Sequence, residues 1–293
     1  MKKLFFLLFV FSISITAFAQ TENITVMTYN VRCGFCEDSS SVNNWSKRKY
    51  LVAYLIKNHN PDLIGLQEAE MFQVKELIEM LDEYDWYGVS RDDGKEGGES
   101  TAILYRKKRF SLEQKQTLWL SETPELVSKG WDAAYKRTVT MAKLKDLMSS
   151  KEFYYFNTHL DHIGEAARTE SSKMIVNEIG KYSTEYPVII SGDFNYRSTS
   201  DGYKIITSKI FDTKLISKTE STGGNITFNG FGKDIQTDNK IDFIFVNDKV
   251  EVLNHTVDTT TFNGLYPSDH YPVISEIKIK IRIDLILFIL YAY

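Results

Sequence analysis

Sulfur does little to brace this chain. Only two cysteines, Cys33 and Cys36, occur in 293 residues, so a disulfide framework is excluded as the scaffold. No Cys₂His₂-type spacing supports a zinc site. A basic excess is also missing. Lys and Arg number 35 against 39 Asp and Glu, a net charge of −4. A protein that holds long polyanions nonspecifically carries a basic surface, so such a ligand would have to rely on a local basic cleft. No Gly/Ser/Pro-rich linker interrupts the sequence and no internal repeat is found, which favours one large domain. No apolar run reaches the length of a bilayer span.

What is present begins with a leader-like pattern. Lys2 and Lys3 precede an apolar run that ends in Ala17-Phe18-Ala19. A basic start, a short apolar centre and an A-x-A end predict a cleaved secretory signal over residues 1–19, with Gln20 as the mature end. The expected localisation is therefore export, to the periplasm or beyond. Losing Lys2 and Lys3 leaves 33 basic residues against 39 acidic ones, a charge of about −6. The domain is expected over residues 20–280. Residues 281–293 form an apolar tail, read as an extension of the last strand or a non-native end. An apolar content of 43% is ample for a packed core.

Hydrophobic periodicity divides the domain into many short strands with helices between them. Strands are expected at 24–31, 62–67, 86–89, 101–105, 110–118, 138–144, 153–158, 188–191, 241–246, 250–255 and 271–280. Helices are expected at 45–58, 71–81 and 165–182. The mixture predicts an α/β sandwich with mixed sheets rather than a purely parallel one.

Polar residues collect where these strands end. "MTYN" ends in Asn30, "LIGLQE" in Glu68, and "VIISGDFN" in Asp193 and Asn195. "YYFNTHLDH" carries His159, Asp161 and His162; "KIDFIFV" carries Asp242; "YPSDHYPV" carries Asp269 and His270. Each piece alone is ordinary turn chemistry. Six in succession place polar groups on one rim of a sheet.

Together these motifs resemble the endonuclease/exonuclease/phosphatase superfamily, the deoxyribonuclease I-like fold, over residues 24–280. Among its branches the sequence is similar to secreted bacterial proteins of undefined substrate. The resemblance implies a four-layer αββα sandwich of two mixed sheets flanked by helices. It implies an Mg²⁺- or Mn²⁺-dependent phosphoric-ester hydrolase, whose substrate is a nucleic acid, a phospholipid headgroup, or a sugar or inositol phosphate. Glu68 is the implied first metal ligand, with Asn30 and Asp269 beside it. Asp193 orients or deprotonates the attacking water, and Asn195 donates to a phosphate oxygen. His270 is the implied catalytic histidine, oriented by Asp242. Either His270 or Asp193 handles the water proton. His159 donates to a phosphate oxygen or leaving group, and Glu99 is expected to hydrogen-bond it. Arg32 stands where some nuclease branches carry an acid, which favours one metal or a different auxiliary ligand set. Arg137 either reaches substrate phosphate or lies exposed at a strand end.

Two features remain outside this set. Cys33 and Cys36 form a C-x-x-C after a strand, the place of a thioredoxin-like redox motif. They lack its βαβ context and are expected to form a small loop disulfide. Two aromatic loops, 119–136 and 222–234, are candidates for substrate contact or for packing onto the scaffold. A non-catalytic binding module on the same fold and a C-x-x-C thiol oxidoreductase are the alternative functions. A monomer with no obligate protein partner is expected.

Overall fold

A computed structural model describes residues 23–233 and 238–280. The expected leader and apolar tail lie outside the described residues.

The strands are β1 (Ile24–Asn30), β2 (Leu63–Gln67), β3 (Ala69–Glu70), β4 (Tyr84–Tyr87), β5 (Glu99–Ser100), β6 (Ile103–Arg106) and β7 (Phe110–Trp119). They continue with β8 (Thr138–Asp146), β9 (Glu152–His159), β10 (Val188–Asp193), β11 (Phe211–Asp212), β12 (Asp242–Val246), β13 (Val250–Val257) and β14 (Val273–Ile279). The helices are α1 (Trp45–His59), α2 (Met71–Met80), α3 (Glu165–Gly180), α4 (Asp201–Thr207) and α5 (Thr213–Ile216).

Two six-stranded sheets result, in the orders β13-β14-β1-β2-β6-β4 and β11-β12-β10-β9-β8-β7, with a small β3-β5 ladder beside them. Each large sheet has one parallel pair at its centre, β1 with β2 and β10 with β9, and antiparallel neighbours outside it. The mixed-sheet expectation is met.

Side-chain alternation builds the layers. Ile24, Val26, Leu63, Phe153, Tyr155, Ile189, Ile244 and Val246 pack into one core. Met27, Tyr29, Ile64 and Leu66 pack with Val52, Ile56, Val74 and Leu77 of α1 and α2. Tyr154, Phe156, Val188, Ile190, Phe243 and Phe245 pack with Ile175, Ile179, Tyr203 and Ile206 of α3 and α4. Successive strand residues point to opposite faces, so one parity fills the gap between the sheets and the other meets the helices. This is the αββα sandwich.

The inward parity changes character along the strands. Above Val26, Leu63, Tyr155 and Ile189 come Thr28, Gly65, Asn157 and Ser191, and then Asn30, His159 and Asp193. In the middle layer Gln67 Nε2 donates to Thr28 Oγ1 at 2.9 Å and to Asn157 Oδ1 at 2.6 Å. Asn157 Nδ2 reaches the Leu66 carbonyl at 2.7 Å and the Ala102 carbonyl at 3.0 Å. Gly65 leaves room for this contact: a Cβ there would sit 2.4 Å from both Asn157 Oδ1 and Ser191 Oγ. Buried amides tie the sheets together below the rim.

Several boundaries depart from expectation. The strand expected at 101–105 is split, because Glu99 and Ser100 pair with Glu70 and Ala69 while β2 pairs only from Ile103 onward. The strand expected at 86–89 runs from Tyr84 to Tyr87. Helices α4 and α5 were not expected. Both are short, and each is capped by a side chain, Ser200 to Tyr203 N–H and Asp212 to Lys214 N–H.

Candidate active site

The rim residues converge because ladder register sets them side by side. Asp193 is paired with His159 of β9 on one flank and with Asp242 of β12 on the other. Asn30 ends β1 opposite Gln67, and Glu68 follows immediately with a left-handed backbone (φ 60°). Ser268 hydroxyl donates to the Asn30 carbonyl at 2.7 Å, which brings Asp269 and His270 to the same rim.

Asn30 Nδ2 donates to Glu68 Oε1 at 3.0 Å and to Asp193 Oδ2 at 2.9 Å. Its oxygen accepts the Arg32 N–H at 3.0 Å. Asn30 therefore clamps two carboxylates with its amide nitrogen. The amide nitrogen faces the acids and the oxygen faces the Arg32 backbone, and Asn30 stands beside Glu68. Glu68 Oε2 accepts the Cys33 N–H at 3.2 Å. Burial pushes its pKa up, but Arg32, His270 and these hydrogen bonds outweigh burial and hold it below the ordinary value.

His270 Nδ1 lies 2.9 Å from Asp242 Oδ2, as expected for the dyad. Burial opposes charge on this ring, but Asp242, Asp193 and Asp269 together push its pKa up to about 10. Its Nε2 lies 3.7 Å from Asp193 Oδ2. Asp193 is buried and faces Asp242, which raises its pKa to about 7. The Asn195 N–H donates to Asp193 Oδ1 at 3.0 Å, and Asn195 Nδ2 to the Leu160 carbonyl at 3.0 Å.

The expected Glu99–His159 hydrogen bond is not formed. Glu99 Oε2 stands 3.8 Å from His159 Nδ1. Arg91 takes the Glu99 carboxylate with both terminal nitrogens, at 2.5 and 3.0 Å. The cause is local: Arg91 N–H bonds the Glu99 carbonyl at 2.8 Å, so the intervening loop closes with the two side chains opposed. Burial, followed by the charge of Glu68, raises the Glu99 pKa to about 7.

Arg137 fills the place expected for Glu99. It is buried just before β8, not exposed at a strand end. Its Nη1 lies 3.0 Å from His159 Nδ1 and 3.1 Å from Nε2, and its Nη2 lies 3.0 Å from His162 Nδ1. A guanidinium only donates, so His159 accepts from it as a neutral ring. Burial, then Arg137, pushes the His159 pKa well down. Asp161 anchors the arrangement, accepting from Arg137 Nε at 3.3 Å and from the N–H groups of Ala134, Tyr135, Ile163 and Gly164.

Glu68, Glu99, Arg137, His159, Asp193 and His270 line one cleft with a cavity of about 540 Å³, and Asn30, Asp161 and Asp242 support them from behind. Its walls include Arg32, Glu68, Arg91, Asp193, Asp269 and His270, with Tyr135 and Phe228 as the aromatic residues. Both aromatics come from the loops singled out by sequence. Cys33 and Cys36 are joined in a disulfide, and Cys36 borders the cleft.

The donor set fits a hard divalent cation. One ligand atom each from Glu68, His159 and Asp193 lies within 4.8 Å of the others, and Asp193, Asp242 and His270 form a second such group. The buried Asp242 Oδ1 has no hydrogen-bond partner among the described residues. Oxygen-rich, carboxylate-dominated sites suit Mg²⁺ or Mn²⁺.

Arg91 and Arg48 escaped the sequence reading. Arg48 of α1 is fully buried and donates to the carbonyls of Val31 and Pro267, at 2.9 and 2.7 Å, tying the loop after β1 to the loop before His270. The only available signal was an arginine on the apolar stripe of α1.

Comparison with known proteins agrees with the geometry. An endonuclease/exonuclease/phosphatase family protein of Bacteroides thetaiotaomicron is 35% identical, with a TM-score of 0.85 over 89% of this chain and all of that one. A mannosyl-6-phosphatase of the same species is also 35% identical, with a TM-score of 0.81 over 87% of this chain and 99% of that one. A protein of Acanthamoeba polyphaga mimivirus is 28% identical over 85% of this chain and 98% of its own length. The model of the endonuclease/exonuclease/phosphatase family matches residues 27–270, and the chain belongs to that family.

Proposed function

We propose that this protein is an exported, divalent-metal-dependent hydrolase of phosphate monoesters carried on small, sugar-sized molecules. The observation that carries the reading is the Glu68–His159–Asp193 cluster beside the Asp242–His270 dyad, in one cleft. Glu68, with Asp269 beside it, would hold Mg²⁺ or Mn²⁺. Bound there, the cation would relieve charge on the phosphoryl oxygens and acidify water.

The remaining work falls to the chain. Asp193, fixed by Asn30 and the Asn195 N–H, takes the proton of the attacking water; a pKa near 7 suits a general base. His270, held charged by Asp242, donates to a phosphoryl oxygen. Arg137 and the neutral His159 present donors across the cleft, and Asn195 contributes its amide. Preorganised donors of this kind stabilise charge as it develops.

Size and charge favour a small monoester. A monoester dianion carries more charge than a diester, and Arg32, Arg91 and Arg137 all border the cleft. The acidic chain as a whole is poorly suited to a long polyanion. The similarity to a mannosyl-6-phosphatase supports the same choice. Buried, mutually perturbed acids and histidines argue against a passive binding module.

Turnover should be compared between a hexose 6-phosphate, read as phosphate released, bis(nitrophenyl) phosphate, read as nitrophenol, and single-stranded DNA, read as shortened strands, each with Mg²⁺ or Mn²⁺. The monoester should turn over about a hundredfold faster or more. Faster cleavage of either diester would overturn the substrate class. Export is supported by the leader-like residues 1–19. Protein recovered from the periplasm or medium should begin at Gln20, and an intact leader on it would count against cleavage.

A further inference from the structure

Arg32 has an unusual backbone and an unusual position. It is left-handed (φ 58°) although it is not glycine. Such a conformation persists when its surroundings over-determine it, and here three side chains do so. Asn30 Oδ1 accepts its N–H at 3.0 Å, while Gln73 Nε2 and Arg48 Nη2 donate to its carbonyl at 3.0 and 3.3 Å. Those partners come from β1, α2 and α1. The clamped backbone turns the Arg32 side chain into the cleft.

There the guanidinium faces two acids, Glu68 of the candidate metal cluster and Asp269 of the same cleft. Its Nη1 lies 3.7 Å from Glu68 Oε2 and its Nε 3.6 Å from Asp269 Oδ2. Both contacts are ion pairs longer than hydrogen bonds, and the buried Nε has no hydrogen-bond partner among the described residues. Among the described residues the guanidinium makes one hydrogen bond, from Nη2 to a third acid, Glu37, at 3.2 Å. Glu37 lies just past the Cys33–Cys36 disulfide. Arg32 can therefore leave Glu68 and Asp269 without losing its counter-ion.

We infer that Arg32 is a tethered cation that competes with the divalent ion for Glu68 and Asp269 and, once displaced from them, binds the substrate phosphate. The inference rests on the metal-dependent reading of the site. Its fixed positive charge takes the place of a second ion, so the site binds one. The displaced guanidinium, still held by Glu37 through Nη2, presents the remaining N–H groups of its fork to the cleft, where a phosphate dianion can accept from Nη1 or from Nε.

The two halves predict effects of opposite sign. Metal-stripped wild type, Arg32→Gln and Arg32→Lys are titrated with MnCl₂ by calorimetry. Inorganic phosphate is then titrated into each protein with Mg²⁺ present. Wild type should bind one Mn²⁺. Arg32→Gln should bind Mn²⁺ about tenfold more tightly, because a like charge close to the ligands is gone. It should bind phosphate about tenfold more weakly, having lost a charged donor. Arg32→Lys keeps the charge, so its Mn²⁺ affinity should stay within about threefold of wild type while phosphate binding weakens with loss of the fork. A merely structural Arg32 would weaken both ligands in Arg32→Gln, and that result overturns the inference. So does unchanged or weaker Mn²⁺ binding in that variant. Failure of every protein to bind Mn²⁺ would overturn the metal reading and this inference with it. Near-ultraviolet circular dichroism matching wild type verifies that the variants are folded.

Discussion

Arg137 takes the place beside His159 that motif reading gives to Glu99. A glutamate heading an apolar strand looks like the orienter of a neighbouring histidine, but the loop between residues 91 and 99 closes on itself and supplies Arg91 as its partner. Such a closure depends on loop geometry that no short motif encodes. Arg137 takes the vacated contact to His159. Glu99→Gln should therefore keep at least about a tenth of wild-type turnover, whereas Arg137→Met should lose about a hundredfold or more, as removal of a charge-stabilising donor does. Steady-state kinetics on both variants checks the order; a reversed order would restore Glu99 as the orienter. The Asp242–His270 pair was legible through the family resemblance of "KIDFIFV" and "YPSDHYPV", and the closed sandwich sets the two side chains 2.9 Å apart. Asp242→Asn removes the charge that keeps His270 protonated, and turnover should fall by about a hundredfold or more. Wild-type turnover in that variant would mean the dyad is misplaced.

Elements were more legible than their connections. Strands β1, β2, β10 and β12 stand out because both faces are buried, which writes them as nearly continuous apolar runs. The one-residue alternation that separates helix-facing from inward-facing positions is present in those runs, and it carries the inward row from Val26 through Thr28 to Asn30. Short elements such as β3, β5 and α5 had no periodicity to reveal them. The buried contact of Gln67 with Asn157 was equally silent, because a polar residue inside a strand does not announce its partner across the sandwich. Gly65 is where this layer is tightest. Gly65→Ala would drive a Cβ into Asn157 and Ser191, and the variant should be less stable by about 1–3 kcal/mol in urea unfolding. Unchanged stability would mean that the amide layer yields without loss. The disulfide element behaves differently. The Cys33 N–H, not its sulfur, supports Glu68, so Cys33→Ser with Cys36→Ser should retain turnover within about threefold, losing at most some stability from the opened loop. A folded but inactive double variant would return the thiols to the chemistry.

At the scale of the molecule, charge and pH enter through a histidine far from the cleft motifs. His255 of β13 is buried against Thr213 and Ser275. Burial, then Lys240 and Lys214, push its pKa down to about 2. An unfolded histidine titrates near 6.5, so the unfolded chain binds a proton that the native chain refuses. The contribution of His255 to stability is complete above about pH 6.5 and falls away as pH drops toward about 2. Each pH unit in that window removes up to ~1.4 kcal/mol. Between about pH 7 and 5, urea unfolding of His255→Asn should lose stability less steeply than wild type; equal slopes would contradict the buried neutral ring. The functional account rests on one larger claim, that a divalent cation held at the Glu68–Asp193 rim is required for phosphoric-ester hydrolysis. It is tested most directly by phosphate release from the fastest ester, measured for wild type and Glu68→Gln in chelator and again after Mg²⁺ or Mn²⁺ is restored. The account predicts no release in chelator, full recovery of wild type with either ion, and a Glu68→Gln protein that needs far more ion and turns over far more slowly. Undiminished release in chelator, or wild-type behaviour from Glu68→Gln, would contradict it.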